Sequence, residues 1–199
     1  MKKLEIKNID CHAALAITKN AQSGRSMIEM LGVLAIIGVL SVGGIAGYSK
    51  AMMKYKINKT IEQITLIVGN FRTFYSRQKE IEWAGGWANG YAQIVQKAKL
   101  IPDEMMVLTD GVLTNVVNAF GGQMGVEYDA PDFYLTFSDV PPEACIELLS
   151  HDWTTADVHK VGVSGSDAGS GLWTPADIDQ VVAKCSVDYI YVEFYFKVK

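Results

Sequence analysis

Polar and apolar residues divide the N-terminal part of the chain into three segments. Residues 1–24 are mostly polar, residues 30–49 contain no charge, and polar and apolar residues are mixed from residue 50 onward. The uncharged run from Met30 to Ser49 is 20 residues long. A helix of that length rises about 30 Å, which is the thickness of a hydrocarbon core. The run therefore predicts a membrane-spanning helix.

The same helix is predicted to continue beyond the membrane. Apolar residues follow at spacings of three and four, which places them on one helical face. No proline occurs between Arg25 and Ile101. We therefore expect one helix from Ser26 to near Gln78, whose second half packs under a globular head. The apolar face consists of Ile57, Ile61, Ile64, Ile67, Phe71 and Phe74.

Residues 81–199 are predicted to form this head, beginning with a turn at Trp83–Trp87. A helical pattern follows within Asn89–Lys99, and it is stopped near Pro102. A second helix is expected to begin at the prolines before Glu143, because proline is tolerated in a first turn. A third helix is expected from the N-cap residue Thr174 to about Lys184.

Two segments of the head are rich in β-branched and aromatic residues and predict strands. They are residues 133–137 and residues 187–198. The second is apolar on both faces around Tyr189–Phe196, so it should lie in the middle of a sheet or be covered by other elements. The glycine-rich residues 161–171 lack the Gly-Lys-Ser/Thr ending of a phosphate-binding loop and are expected to form a mobile, exposed loop.

One carboxylate, that of Glu29, lies at the edge of the apolar run. A charge inside a bilayer costs on the order of 2.5–3.5 kcal/mol. A simple membrane anchor would gain nothing from this carboxylate. Glu29 therefore needs a partner, and this requirement indicates assembly with other chains.

The charge distribution excludes some functions. The chain carries a net charge of −4, yet four lysines outnumber Glu5 and Asp10 in the first 24 residues. A basic start favours retention of that segment in the cytoplasm, and the acidic remainder argues against binding of nucleic acid through phosphate contacts. A lysine cluster after the apolar run is either a solvated helix face or pairs with acidic groups of neighbouring subunits. It comprises Lys50, Lys54, Lys56 and Lys59.

The chain has three cysteines, of which Cys11 lies near the N-terminus. The other two, Cys145 and Cys185, lie beyond the apolar run. An even count in a compartment outside the cytoplasm indicates a disulfide. Two buried free thiols are the alternative.

The N-terminal residues resemble the signature of type IV prepilins. In that family a basic leader ends in glycine, a dedicated peptidase cuts after it, and glutamate is the fifth residue of the mature chain. The resemblance implies cleavage between Gly24 and Arg25, N-methylation of the new N-terminal Arg25, and a role of Glu29 in assembly. This sequence has Arg25 where the family usually has an apolar residue. An ordinary secretory signal would place its apolar core before the cut, so it is excluded by the order of segments.

The head resembles that of type IVb pilins. The resemblance rests on Asn118–Gly122 with a strand after it, on Val140–Cys145, and on a second cysteine after a Gly/Ser-rich stretch. It implies an α+β fold in which a long N-terminal helix packs on a small antiparallel sheet. The implied domains are a leader of residues 1–24, a helix of residues 25–80 with the span at 30–49, and a head of residues 81–199.

The implied function is that of a structural pilus subunit and not of an enzyme, without cofactor or metal. The implied partners are other copies of the chain, the prepilin peptidase and an assembly platform. The subunit would wait in the inner membrane of a Gram-negative bacterium and then join an extracellular filament for adhesion, aggregation, motility or DNA transfer. The alternatives are a pseudopilin of a type II secretion system, and a periplasmic sensor or enzyme with an uncleaved anchor. His151, Asp152, Asp157 and His159, the candidate metal or acid–base residues, are interpreted as surface residues.

Overall fold

A computed structural model of the protein describes residues 27–78, 91–129, 131–164, 171–173, 178–186 and 191–198. The chain divides into two compact units, Met1–Ser49 and Lys50–Lys199. The helices are α1 Met27–Tyr75, α2 Tyr91–Lys97, α3 Pro142–Leu149 and α4 Ile178–Cys185. The strands are β1 Met106–Thr109, β2 Val112–Val116, β3 Met124–Asp129, β4 Asp132–Phe137, β5 Val158–Ser164, β6 Gly171–Trp173 and β7 Tyr191–Lys197.

The expected long N-terminal helix is present as α1. It begins at Met27 and ends at Tyr75, close to the expected ends at Ser26 and Gln78. Every residue of α1 up to Ala51 is exposed. The predicted leader, with Cys11, Gly24 and Arg25, lies outside the described residues, as does the turn at Trp83–Trp87.

From Met52 onward α1 carries a buried stripe against the head. Its buried residues are Ile57, Thr60, Gln63, Ile64, Ile67, Val68, Phe71 and Tyr75. Two residues of the expected face, Ile61 and Phe74, are only partly buried. Phe71 makes edge-on contacts with Phe133 and Phe196, at ring-centroid distances of 5.6 and 6.0 Å. These aromatic contacts join the helix to the sheet, as the apolar period predicts.

The head is built on an antiparallel sheet of five strands in the order β3-β4-β7-β5-β6. The C-terminal strand β7 lies in the middle, as expected from its composition. Val192, Phe194 and Phe196 point into the core and are fully buried. The other face of β7 differs from the expectation, because it carries Glu193 and Tyr195 rather than apolar side chains only.

The glycine-rich segment is not the long loop that the sequence predicts. Val161, Gly162 and Val163 belong to strand β5, and they pair with Trp173, Leu172 and Gly171 of strand β6. Val161 and Val163 are fully buried, so β-branched packing decides the local conformation here and the glycines do not. Residues 165–170, between the two strands, lie outside the described residues.

A second, two-stranded sheet was not predicted. Strands β1 and β2 form an antiparallel hairpin around Asp110 and Gly111, whose φ angles are 52° and 78°. Two consecutive positive φ angles are typical of the tight turn that an Asp-Gly pair favours. The side chain of Gln96 on α2 fixes the hairpin, since its Nε2 donates to the Gly111 carbonyl and its Oε1 accepts from the Leu113 amide.

Candidate functional site

The candidate assembly site is the N-terminal part of α1, where Glu29 lies in the first turn. A carboxylate at this position is stabilised by the free amide groups and the dipole of the helix N-terminus. Glu29 is exposed and makes no ion pair with any residue that the structure describes. The structure therefore leaves its carboxylate available to a partner outside the described chain.

The surface of this part of α1 is apolar on all sides. Burial of one aliphatic side chain contributes about 1.5–3 kcal/mol, so an exposed set of this size represents tens of kcal/mol of unrealised burial. This is the one helix among the described residues that is long and apolar enough to cross a membrane. Its exposed aliphatic residues are Met27, Ile28, Met30, Leu31, Val33, Leu34, Ile36, Ile37, Val39, Leu40, Val42 and Ile45.

Glycines lie at intervals along the same surface. Gly43 and Gly47 are one turn apart, and a Cβ atom added to either would meet nothing within 4 Å. These glycines are therefore not required by any contact within the described chain. Such a pair lets another helix approach closely in a membrane or in a bundle.

The lysine cluster that follows the apolar run pairs partly within the chain. Lys54 forms an ion pair with Glu147 of α3, and Lys59 lies 3.3 Å from the Glu104 carboxylate. The sequence left two interpretations of the cluster, a solvated helix face or pairing with neighbouring subunits. Neither of them predicted these contacts with the chain's own head. Such exposed pairs contribute little free energy, so their main effect is to orient the side chains.

The two cysteines of the head are joined. Cys145 lies in α3 and Cys185 ends α4, their Cα atoms are 5.7 Å apart, and a Cys145–Cys185 disulfide links them. The alternative of two free thiols is thereby excluded. Both side chains are fully buried. Closing a loop of this length stabilises a fold by about 4 kcal/mol on the loop-entropy account.

The candidate metal or acid–base residues make contacts with other side chains of the chain. Asp157 pairs with Arg72 of α1, and His159 Nε2 lies 3.2 Å from the Asp132 carboxylate. The ring of His151 packs edge-on against Trp153. No group of three or more potential metal ligands occurs in the part of the chain that the structure describes.

Sequence reasoning missed a polar network on the outer face of the sheet. Glu193 is 8% exposed and accepts hydrogen bonds from Ser164 Oγ and from the Tyr195 hydroxyl. Burial, together with the Glu193 carboxylate, raises the pKa of Tyr195. The ring of Tyr134 stacks on that of Tyr195. The alternation of polar and apolar residues along β7 was the sequence signal from which this network could have been predicted.

A model of a known protein family matches the chain. The model described as PilS N terminal matches residues 44–192, which is most of the chain. The chain belongs to the PilS family. The match begins at Gly44, inside the apolar part of α1, and so it does not include Gly24, Arg25 or Glu29.

A solved structure shares the fold of this family member. The crystal structure of type IV b pilin from Salmonella typhi superimposes with a TM-score of 0.53 at 14% sequence identity. The alignment covers 70% of this chain and 99% of that chain. A search of curated proteins gave no match. The fold that the resemblance to type IVb pilins implies is confirmed by this superposition.

Proposed function

We propose that this chain is the precursor of a structural subunit of a type IVb pilus and not an enzyme. The observation that carries the proposal is the helix α1, whose first part exposes apolar side chains on every face. An isolated soluble protein does not keep such a surface in water. Lipid before assembly, and the same segment of other subunits after assembly, would cover it.

The proposed pathway begins in the inner membrane of a Gram-negative bacterium. The head lies in the periplasm and the basic leader lies in the cytoplasm. Prepilin peptidase cuts between Gly24 and Arg25, and the new α-amine of Arg25 is methylated. An assembly platform then extracts the subunit into an extracellular filament that serves adhesion, aggregation, motility or DNA transfer.

The proposed role of Glu29 is to pair with the α-amine of Arg25 on an adjacent subunit. Cleavage creates that amine, so processing would supply the positive charge that the carboxylate requires. The pairing would also set the axial register between subunits. The Arg25 guanidinium is a competing partner within the same chain, because Arg25 precedes Glu29 by four residues, the spacing at which side chains meet on a helix.

Filament yield from cells tests this proposal. We expect Glu29→Gln to leave processing and head folding intact and to reduce surface filaments sharply in electron micrographs. Glu62→Gln is the matched control, since Glu62 is an exposed carboxylate on the same helix. Intact mass of the wild-type filament protein should show loss of the first 24 residues.

Two results would overturn the proposal. Normal filaments from Glu29→Gln cells would remove the role of the carboxylate, and a full-length chain in filaments would remove the cleavage. A strain that lacks the protein also separates the alternatives. A secretion pseudopilin would show lost export of another protein with filaments unchanged, and an anchored sensor or enzyme would show neither defect.

A further inference from the structure

A cleft opens in the head where β2 and β3 separate into different sheets. An isolated antiparallel bridge joins Val117, just after β2, to Gln123, just before β3. The side chain of Asn118 holds the turn at this end, since its Nδ2 donates to the Ser138 carbonyl over 2.8 Å and its Oδ1 accepts from the Phe120 amide. These bonds hold the turn that connects β2 to β3, the two strands whose residues line the cleft.

The cleft has a volume of about 430 Å³. That volume lies within the range of small-molecule sites. Among the described residues that line it, none carries a formal charge. The lining includes Asn115, Gln123, Gly125, Thr136 and Tyr191.

Several polar groups in the cleft have no hydrogen-bond partner in the described chain. Asn115 uses its Oδ1 to accept from the Val116 amide, which leaves its Nδ2 unused. The side-chain amide of Gln123 and the hydroxyls of Thr136 and Tyr191 also make no such bond. Two amides and two hydroxyls thus supply both donors and acceptors, all of them neutral.

An exposed aromatic ring and a glycine also line the cleft. Tyr191, at the start of β7, is 50% exposed, so one side of its ring is available to a ligand. Gly125 lies close against Thr136, because a Cβ atom there would lie 2.6 Å from Thr136 Oγ1. The absence of a side chain at residue 125 lets the Thr136 hydroxyl lie over the Gly125 backbone, and both residues line the cleft.

From this arrangement we propose that the cleft between β2 and β3 binds a neutral carbohydrate. A sugar ring presents hydroxyls around its rim, which match the unused amides and hydroxyls, and a C–H face, which packs on an aromatic ring. A charged ligand would lose its hydration without an opposite charge among the described lining residues. The proposal needs a single folded head and does not rest on polymerisation.

Saturation-transfer NMR on the full-length protein tests the proposal. The protein is kept in a detergent without a sugar headgroup, and free galactose, glucose, mannose and N-acetylgalactosamine are added in turn. At least one sugar should receive saturation from the protein. Tyr191→Ala should weaken its binding about tenfold, which is what loss of one aromatic contact produces. Tyr191→Phe, which keeps the ring, should weaken it less.

Control variants separate the cleft from general effects. Tyr55→Ala removes a tyrosine that is 58% exposed on α1, and it should bind the sugar as the wild type does. Gln123→Ala changes an exposed side chain, so it tests the cleft without endangering the fold, and binding should weaken. Two results overturn the proposal. One is the absence of saturation transfer to all four sugars, and the other is transfer in Tyr191→Ala and Gln123→Ala that is as strong as in the wild type. A loss of filaments in Tyr191→Ala without sugar binding by the wild type also overturns it, because the cleft would then be a contact between copies of the chain.

Discussion

The two parts of α1 differ in where their apolar side chains find a partner. Ile37, in the first part, is 52% exposed, and Ile64, in the second part, is fully buried. Both residues are isoleucines, and both lie in the same helix. The second part meets the sheet of its own head, whereas the first part has no such surface among the described residues. A helical apolar pattern thus predicts the helix, but it does not predict the surface on which the apolar side chains pack.

The acidic groups associated with the two parts differ in the same way. Glu29 makes no ion pair in the described chain, whereas Glu104, packed beside the second part, accepts a 2.8 Å hydrogen bond from Gln63 of α1. It also pairs with Lys59. The second part finds its partners among the described residues, and the first part does not. This difference supports assembly more directly than the length of the apolar run does.

The largest expected effect comes from making the same substitution in each part. Ile64→Ala should lower the free energy of unfolding of the head by about 2–5 kcal/mol, because it leaves a cavity in the core. Ile37→Ala should change it by less than about 0.5 kcal/mol. Denaturant unfolding of the full chain in micelles, followed through the fluorescence of the buried Trp153, measures both. Equal losses would show that the head depends on the first part of α1.

Local signals in the sequence predict much of the fold. The spacing of Ile57, Ile64 and Phe71 is sufficient for the helix and its buried face, and the composition of the C-terminal strand is sufficient for its central position. The Asp110–Gly111 pair was also a usable turn signal, although the hairpin was missed. In each of these cases the relevant residues are neighbours in sequence.

The remaining features depend on contacts between distant segments. Val161 and Val163 are in a strand because β7 pairs beside them, which no local glycine count reveals. The cleft brings Asn115 and Gln123 to Tyr191 of β7, and its shape depends on how two sheets diverge. The partner of Glu29 is harder still to predict from the sequence, since it is expected in another copy of the chain.

A smaller effect is expected for the pH dependence of the head. The hydrogen bond from Gln63, together with Lys59, lowers the pKa of the Glu104 carboxyl below its ordinary value of 4.5. A lowered folded-state pKa stabilises the head above the ordinary value, and this stability is lost as the pH falls through the lowered pKa. Glu104 is 53% exposed, so its contribution should be below about 1 kcal/mol.

Glu104→Gln should therefore lower the free energy of unfolding slightly at neutral pH and not in strong acid. Urea unfolding at a series of pH values measures the difference from the wild type. Glu62→Gln, which removes an exposed carboxylate of α1, serves as the control for the loss of one negative charge. A difference that grows on acidification would contradict the assigned direction of the pKa shift.

The smallest effect on the isolated chain is expected for Gly47→Ala. A Cβ atom at this position meets nothing within 4 Å, and alanine favours a helix by about 1 kcal/mol over glycine. The head should therefore unfold as in the wild type, and the helix should be slightly more stable. A filament provides a different surrounding, because Gly43 and Gly47 form a face on which a neighbouring helix can pack closely.

In cells, Gly47→Ala should therefore reduce filament yield although it damages nothing in the single subunit. Gly38→Ala is the matched control, since Gly38 lies on the opposite face at about 3.6 residues per turn. Yield is measured as sheared filament protein relative to total protein, with head stability measured in parallel. Because each variant adds one methyl group to the same helix, a difference between them reports the packing direction. Equal yields from both variants would show that the glycine pair does not face a neighbour, and the first part of α1 would then need another explanation for its glycines.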